Sequence, residues 1–332
     1  QDSIKPKINL SGYLETYYCF DFNKPIDHNR EYAYAFNRTN EININIGLLK
    51  VSYEHGPTRG NLALMTGTYA NANLAYEPGL LKMIYEANVG FKIHKTKNLW
   101  IDAGVFGSHI GVESAVGKDC WNLTRSMAAE NSPYYETGAK ITYISDNEKW
   151  LVSGLYLNGW QCIQRPDGNN TPAGGHQITY TSKRFSVNSS SFVGNTKADT
   201  SIQMRYFHDL YIKCELSTRL DLIVGFDIGA EQKSKGSDHY NTWTSSYILA
   251  RYKLSKKWNV GLRGEHYDDK NGVIVYNENG FQTIGYSMNI DRQIGDNVLW
   301  RIEYRELISN NDVFYDNKHN NKFISTSLAF SF

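Results

Sequence analysis

Apolar side chains recur at every second position along the whole chain, with Tyr, Val, Ile, Leu and Phe on one parity and polar residues or glycine on the other. In 298–308, Val298, Trp300, Ile302, Tyr304 and Ile308 share one parity, while Arg301, Glu303 and Arg305 hold the other. In 220–231, Leu220, Leu222, Val224, Phe226 and Ile228 oppose Asp221, Gly225, Asp227 and Glu231. Period two is that of a β-strand whose faces meet different surroundings. Helical spacing is hard to find, so the pattern predicts an all-β protein. About 16 such segments are counted, against about 5 or 6 strands in an ordinary sheet. They lie at 8–20, 42–53, 59–68, 84–93, 99–106, 134–144, 150–158, 177–181, 185–193, 205–216, 220–231, 242–254, 258–267, 281–292, 298–309 and 323–332.

The connections alternate in length. Tight turns at 55–58, 95–97, 146–148, 182–184, 217–219, 255–257 and 295–297 interleave with long polar loops at 23–37, 69–81, 107–133, 160–176, 233–241, 268–280 and 310–321. This alternation predicts a transmembrane antiparallel up-and-down β-barrel with short periplasmic turns, long extracellular loops and both termini in the periplasm. A soluble sandwich also alternates, but here the polar parity carries opposed charges in mid-strand, as in Arg205, Asp209, Lys213 and Glu215. A wet lumen satisfies such charges and a dry core does not. Tyr85, Tyr135, Tyr143, Trp258, Tyr286, Trp300 and Tyr304 fall on the apolar parity, as interfacial girdles require, although β-propensity alone also favours them in strands. No Pro- or Ser-rich linker divides the series, so 1–332 reads as one domain. The last segment sets Ile324, Leu328, Phe330 and Phe332 against serines, which resembles the terminal aromatic signal of outer-membrane barrels.

Composition narrows the function classes. With 14% aromatic residues and a net charge of +1, the chain has neither a disordered composition nor an electrostatic footprint for nucleic acid. No apolar run is long enough for a transmembrane helix, and an exported chain beginning at Gln1 has already lost its leader. The four cysteines form no C-x-x-C pair.

Several stretches resemble one family over essentially the whole chain. They are Ser11-Gly12-Tyr13-Leu14-Glu15-Thr16-Tyr17-Tyr18, Leu64-Met65-Thr66-Gly67-Thr68-Tyr69-Ala70-Asn71, Glu77-Pro78-Gly79, Ile84-Tyr85-Glu86-Ala87-Asn88-Val89-Gly90 and Ala129-Glu130-Asn131-Ser132-Pro133-Tyr134-Tyr135-Glu136-Thr137-Gly138. As a set they are similar to the OmpL-like putative β-barrel porins of Gram-negative outer membranes. The resemblance implies a porin-type channel and assigns neither a permeant solute nor a set of functional residues.

A barrel of about 16 strands encloses an aqueous channel, so selectivity lies at its narrowest point. The third long loop, 107–133, is the longest, and a loop of this kind either folds inward as a constriction or stays outside as a solvated lid. It carries Glu113, Lys118, Asp119, Arg125 and Glu130, and a short helix is expected over 122–130 with Asn122 as its cap. On the wall, Arg263, Arg301 and Arg305 share one parity, either as a basic ladder facing the pore or neutralised by Glu265 and Glu303. Asp102, Glu136, Lys140, Asp209, Asp227, Arg251 and Lys253 also point inward by parity and read mainly as wetted wall. Loop 69–81 leads into a helical turn after Pro78. Cys120 and Cys162, on adjacent long loops, are a candidate disulfide.

No G-x-S-x-G, H-E-x-x-H, P-loop or dinucleotide fingerprint occurs. His208 and His266, on the apolar parity, are the positions to check for a lipid-side His with a nearby Ser. The reading is an outer-membrane passive diffusion channel for small hydrophilic solutes and ions, with no enzymatic activity, cofactor or metal. Its surroundings would be outer-membrane lipid and lipopolysaccharide, with a homo-oligomer such as a trimer or an envelope protein as partner and no nucleic acid. The alternatives are an occluded barrel serving as a structural or docking subunit and, after that, a barrel hydrolase.

Overall fold

A sheet that crosses a membrane must leave no unpaired edge, because hydrocarbon offers no partner for a free peptide group. The computed structural model describes residues 5–332, and its sixteen strands close into a barrel in sequence order. Residues 1–4 of the expected domain lie outside the described residues. The strands are β1 (Lys7–Asp21), β2 (Ile42–His55), β3 (Thr58–Thr66), β4 (Ile84–Lys92), β5 (Asn98–Gly107), β6 (Tyr135–Ile144), β7 (Trp150–Leu157) and β8 (Ala173–Thr181). They continue as β9 (Phe185–Asn195), β10 (Met204–Glu215), β11 (Leu220–Gln232), β12 (Tyr240–Lys253), β13 (Trp258–Asp269), β14 (Phe281–Ile294), β15 (Val298–Ser309) and β16 (Asn320–Ser331). All neighbours are antiparallel, and β1 meets β16 from Tyr13↔Ser331 to Asp21↔Phe323. Gly12 and Phe332 exchange two backbone hydrogen bonds of 3.1 Å that finish the seam.

The two parities separate as the pattern requires. On β13 Leu262 is 49% exposed on the outer surface while its neighbour Arg263 is 3% exposed within. Leu10, Val51, Leu64, Val89, Ile141, Val152, Leu210, Val224, Ile248, Met288 and Leu328 are likewise exposed outward. An apolar surface continuous around the barrel has no counterpart on soluble monomers and suits hydrocarbon. The tight turns follow hairpin rules, with Gly56 and Gly295 in the left-handed region at φ 55 and 60.

Some boundaries differ from the pattern. β8 begins at Ala173 rather than 177, because Gly174 and Gly175 hide the alternation. β3 stops at Thr66, and Thr68–Asn73 forms a short helix, α1, that periodicity over six residues cannot reveal. The turn after Pro78 is a 3₁₀ helix, Gly79–Met83. In the third long loop the helix α2 spans only Met127–Glu130, and its cap is Ser126, whose hydroxyl accepts from Ala129 N at 3.2 Å, not Asn122. Asn122 instead donates from Nδ2 to Asn289 Oδ1 at 2.8 Å on the barrel wall.

Toward the long-loop ends the interior is packed, not wet. Phe106, Leu157, Phe192, Phe207, Trp243, Tyr267, Phe281 and Leu307 point inward and bury Ile110, Met127, Val275 and Val313 from the loops. On the opposite wall Tyr13, Tyr17, Ile46 and Met65 bury Phe36 of the first long loop, Tyr69 and Leu74 of the second, and Leu123 of the third. Toward the tight-turn ends the inward face is charged, with Arg59 paired to Asp102 at 2.5 Å and Asp221 held by Arg251 at 2.7 Å and Lys253 at 2.9 Å.

The separation of faces yields a measurable asymmetry. Leu262→Arg places a charge against lipid and is expected to cost about 2–4 kcal/mol of folding free energy if the site lies near the bilayer midplane, whereas Asn61→Lys, in the lumen, should cost little. Reversible urea titration of the protein in lipid vesicles checks this, and equal costs at both positions would contradict the assignment of faces.

Candidate functional site

A peptide segment inside a barrel has N–H and C=O groups that the strands, already paired to each other, leave unsatisfied. The segment between β5 and β6 meets that demand with charged wall residues. His109 Nε2 lies 2.8 Å from the carbonyl oxygen of Ser191 on β9, where the segment enters the lumen. Burial pushes the His109 imidazole down to about 4, so the ring is neutral and donates from Nε2.

Three arginines clamp the middle of the loop. Arg301 Nε and Nη2 donate to Asp291 at 2.8 and 3.0 Å, and its remaining donors reach the carbonyls of Gly117 at 2.9 Å, Cys120 at 3.1 Å and Trp121 at 3.0 Å. Arg263 donates to Thr124 O at 2.7 Å and to Glu303 at 2.8 Å, and Arg305 donates to Arg125 O at 2.9 Å and to Glu265 at 2.6 Å. The carboxylates serve the loop amides in turn. Glu303 accepts from Thr124 N at 2.5 Å and Glu265 from Met127 N at 2.6 Å. All five side chains are buried, so the arginines are neutralised by Glu265, Glu303 and Asp291 and donate to loop carbonyls. A guanidinium, with five donors in a fixed plane, can serve a carboxylate and several carbonyls at once, which an ammonium cannot.

The five charges of the loop divide into three tasks. Glu113 and Arg125 fold the loop on itself: Glu113 accepts from Ser126 N at 3.0 Å, and Arg125 donates to the carbonyls of Ser114 at 2.6 Å, Leu123 at 2.7 Å and Ala115 at 3.2 Å. Glu130 accepts from Tyr34 N at 2.9 Å and Ala35 N at 3.3 Å, joining α2 to the first long loop. Lys118 and Asp119 are exposed, lining a cavity of about 360 Å³ at the tight-turn end with Asp296 and Asn297. At the other end a cavity of about 270 Å³ is lined by Tyr34, Tyr76, Glu130, Trp160 and Arg205. The expected candidates therefore gather into one lattice around the loop, except Lys118 and Asp119, which form the rim below it.

Other expectations meet a different structure. Cys120 and Cys162 are not bridged, and all four cysteines are free thiols. Cys120 Sγ exchanges hydrogen bonds with Ser114 N and O, both at 3.2 Å, inside the loop. Cys162 sits elsewhere, where burial and then the carboxylates of Glu136 and Glu77 push its thiol up to about 12. Glu136, Asp209 and Asp227, read from parity as wetted wall, are buried. On the outer surface His208 Nε2 lies 3.5 Å from Ser189 Oγ, and His176, not singled out by the sequence, lies 2.6 Å from Ser191 Oγ through Nδ1. Among the described residues no carboxylate or amide side chain bonds either ring to orient it as a general base requires. His266 is exposed outward. The parts missed by sequence reading are the Asp291–Asn289 shelf, where Asn289 donates to Trp121 O at 3.1 Å, and the first long loop; Asp291 and Asn289 do share the parity of the lattice, which was the available signal.

The Glu130 latch carries a pH dependence. Burial raises this carboxyl from its ordinary 4.5 to about 7, against the lowering effect of the Tyr34 amide. Its folded form thus holds a proton more tightly than the unfolded form, so the stabilisation is complete below about pH 4.5 and is lost as pH rises through about 7. The difference in unfolding free energy between the protein and Glu130→Gln should change by about 3 kcal/mol over that window and be flat above it, as read from urea midpoints at a series of pH values. A difference independent of pH would contradict the buried latch.

The comparisons agree with this architecture. The sequence profile of the family described as putative beta-barrel porin-2, OmpL-like, matches residues 7–332. No curated protein matches the sequence. Among solved structures, the chain is similar to an anion-selective porin from Comamonas acidovorans at a TM-score of 0.68 and 7% identity, over 99% of this chain and 100% of that one. It is also similar to OmpT, an outer membrane protein of Vibrio cholerae in its trimer form, at 0.66 and 9%, over 98% and 99%. The outer membrane channel DcaP of Acinetobacter baumannii matches at 0.64 and 10%, over 98% and 97%. At such identities these structures establish the fold, a closed porin barrel. The family profile covers every strand, and the chain belongs to the putative beta-barrel porin-2, OmpL-like family of outer-membrane porins.

Proposed function

We propose that this porin passes small hydrophilic solutes and ions by passive diffusion and that its third long loop, held by Arg263, Arg301 and Arg305 with Glu265 and Glu303, sets the pore's narrowest section. The observation that carries this reading is the row of loop carbonyls, Gly117, Cys120, Trp121, Thr124 and Arg125, seated on those arginines. Flux needs only a solute gradient. Lys118 and Asp119, exposed at the tight-turn opening, are the loop charges a solute would meet there, with Glu113, Arg125 and Glu130 shaping the loop above them. The alternation of tight turns with long loops supports a topology with the tight turns and both termini in the periplasm and the long loops outside, against lipopolysaccharide. The apolar outer surface suits lipid or further copies of the chain, and a structural neighbour is described as a trimer form.

A second reading is favoured by one observation. At mid-height the inward side chains Asn188, Ser190, Asp209, Asp227, Asn289 and Ser325 are all buried, as is Glu136 nearer the long loops, as in a barrel whose lumen is filled. In that reading the barrel is a sealed structural or docking subunit that opens, if at all, on meeting a partner.

Single-channel recording in a planar bilayer separates the two. Stepwise openings are expected, and Arg301→Ala, which frees three loop carbonyls from the wall, should raise unitary conductance by roughly twofold or more, since the narrowest section dominates resistance. Heat-modifiable migration shows that the variant is folded. Silence from both folded proteins would overturn the diffusion reading in favour of the sealed barrel.

A further inference from the structure

Two carboxylates on the lumen wall stand side by side without a basic partner among the described residues. Asp209 on β10 and Asp227 on β11 are cross-strand partners, and the row continues to Ser190 on one side and Ser245 on the other. Asp209 Oδ2 is occupied, accepting from Ser190 Oγ at 2.8 Å and Asn188 Nδ2 at 3.1 Å. Asp209 Oδ1, Asp227 Oδ1 and Ser245 Oγ are buried without a hydrogen-bond partner, on residues 0%, 4% and 2% exposed. Among the described residues neither carboxylate has an ion-pair partner. The nearby inward cations of β10 are committed elsewhere: Arg205 pairs with Glu231 at 2.7 Å, and Lys213 lies over the Trp121 ring at 5.5 Å.

The surroundings are shaped around the pair. Gly225 and Gly229 flank Asp227 on the same inward face, and the rings of Tyr247 and Trp243 lie over them, leaving no room for a Cβ. The peptide of Gly111, in the third long loop, lies against Asp209. Two touching buried carboxylates repel each other unless a proton or a metal ion sits between them. Three oxygens from two carboxylates and a hydroxyl, without nitrogen or sulfur, form a hard donor set that suits an ion completing its shell with water.

We propose that Asp209, Asp227 and Ser245 bind a hard divalent cation of the calcium type on the lumen wall beneath the third long loop. The ion would neutralise the pair and tie β10 and β11 together beside Gly111 of the third long loop. This site does not depend on whether the barrel conducts.

Terbium, a calcium mimic with luminescence that Trp and Tyr sensitise, tests it on the full chain folded in detergent at neutral pH. Trp243 and Tyr247 are in place as donors. Sensitised emission is expected, abolished by excess Ca²⁺ and reduced on the order of tenfold in Asp227→Asn and in Asp209→Asn. Asp221→Asn, which removes a carboxylate already paired with Arg251 and Lys253, should keep it. A second readout is the heat-modifiable transition, which Ca²⁺ should raise in the unsubstituted protein and not in Asp227→Asn. Emission that survives both substitutions, or no emission with the protein shown folded by migration, overturns the proposal and leaves a proton shared between the carboxyls.

Discussion

Hydrocarbon forbids a sheet edge, and the pairing of β1 with β16 is how this chain obeys. Everything else follows from that seam. Closing sixteen strands fixes a circumference too large for their own side chains to fill, as eight strands can. The inward parity therefore faces either water or something carried in by a loop. Here the space is shared: charged pairs such as Arg59–Asp102 line the tight-turn end, and aromatic side chains pack against loop residues at the other.

Bringing a loop into the lumen creates a second constraint, because its peptide groups arrive without partners. The lattice of Arg263, Arg301, Arg305, Glu265, Glu303 and Asp291 supplies them, and the loop in turn buries charges that would be costly if merely desolvated. Each side thus satisfies the other. This mutual dependence makes the loop a fixed part of the barrel's cross-section. It also gives the lumen wall two characters: an arginine-rich arc whose charges are neutralised by carboxylates, and an arc through β10 and β11 where two carboxyl groups face each other.

Legibility in the sequence followed the strength of the local pattern. Runs such as Val298–Ser309, with apolar outward and charged inward positions, announce strand, face and environment together. Where the interior is aromatic the two parities look alike, and where Gly174 and Gly175 open a strand no pattern exists to read. The short helices α1 and α2 are too brief for periodicity, and Ser126 caps α2 because Glu113, thirteen residues earlier, accepts from its amide.

The sequence by itself determined the barrel, its strand number and the face of most strand residues, because these rest on period two, and it carried the family through stretches that resemble it. Tyr85, read from parity as lipid-facing, instead packs against the buried cluster that holds the third long loop. The sequence also marked Arg263, Arg301, Arg305 and the third long loop as partners of some kind. Only the tertiary structure decided that the arginines hold backbone carbonyls and do not line open water, that Cys120 and Cys162 stay apart, and that Asp209 and Asp227 are buried. Those outcomes depend on contacts across the lumen, between positions up to 184 residues apart such as Arg301 and Gly117, and parity says which way a side chain points but not what fills the space before it.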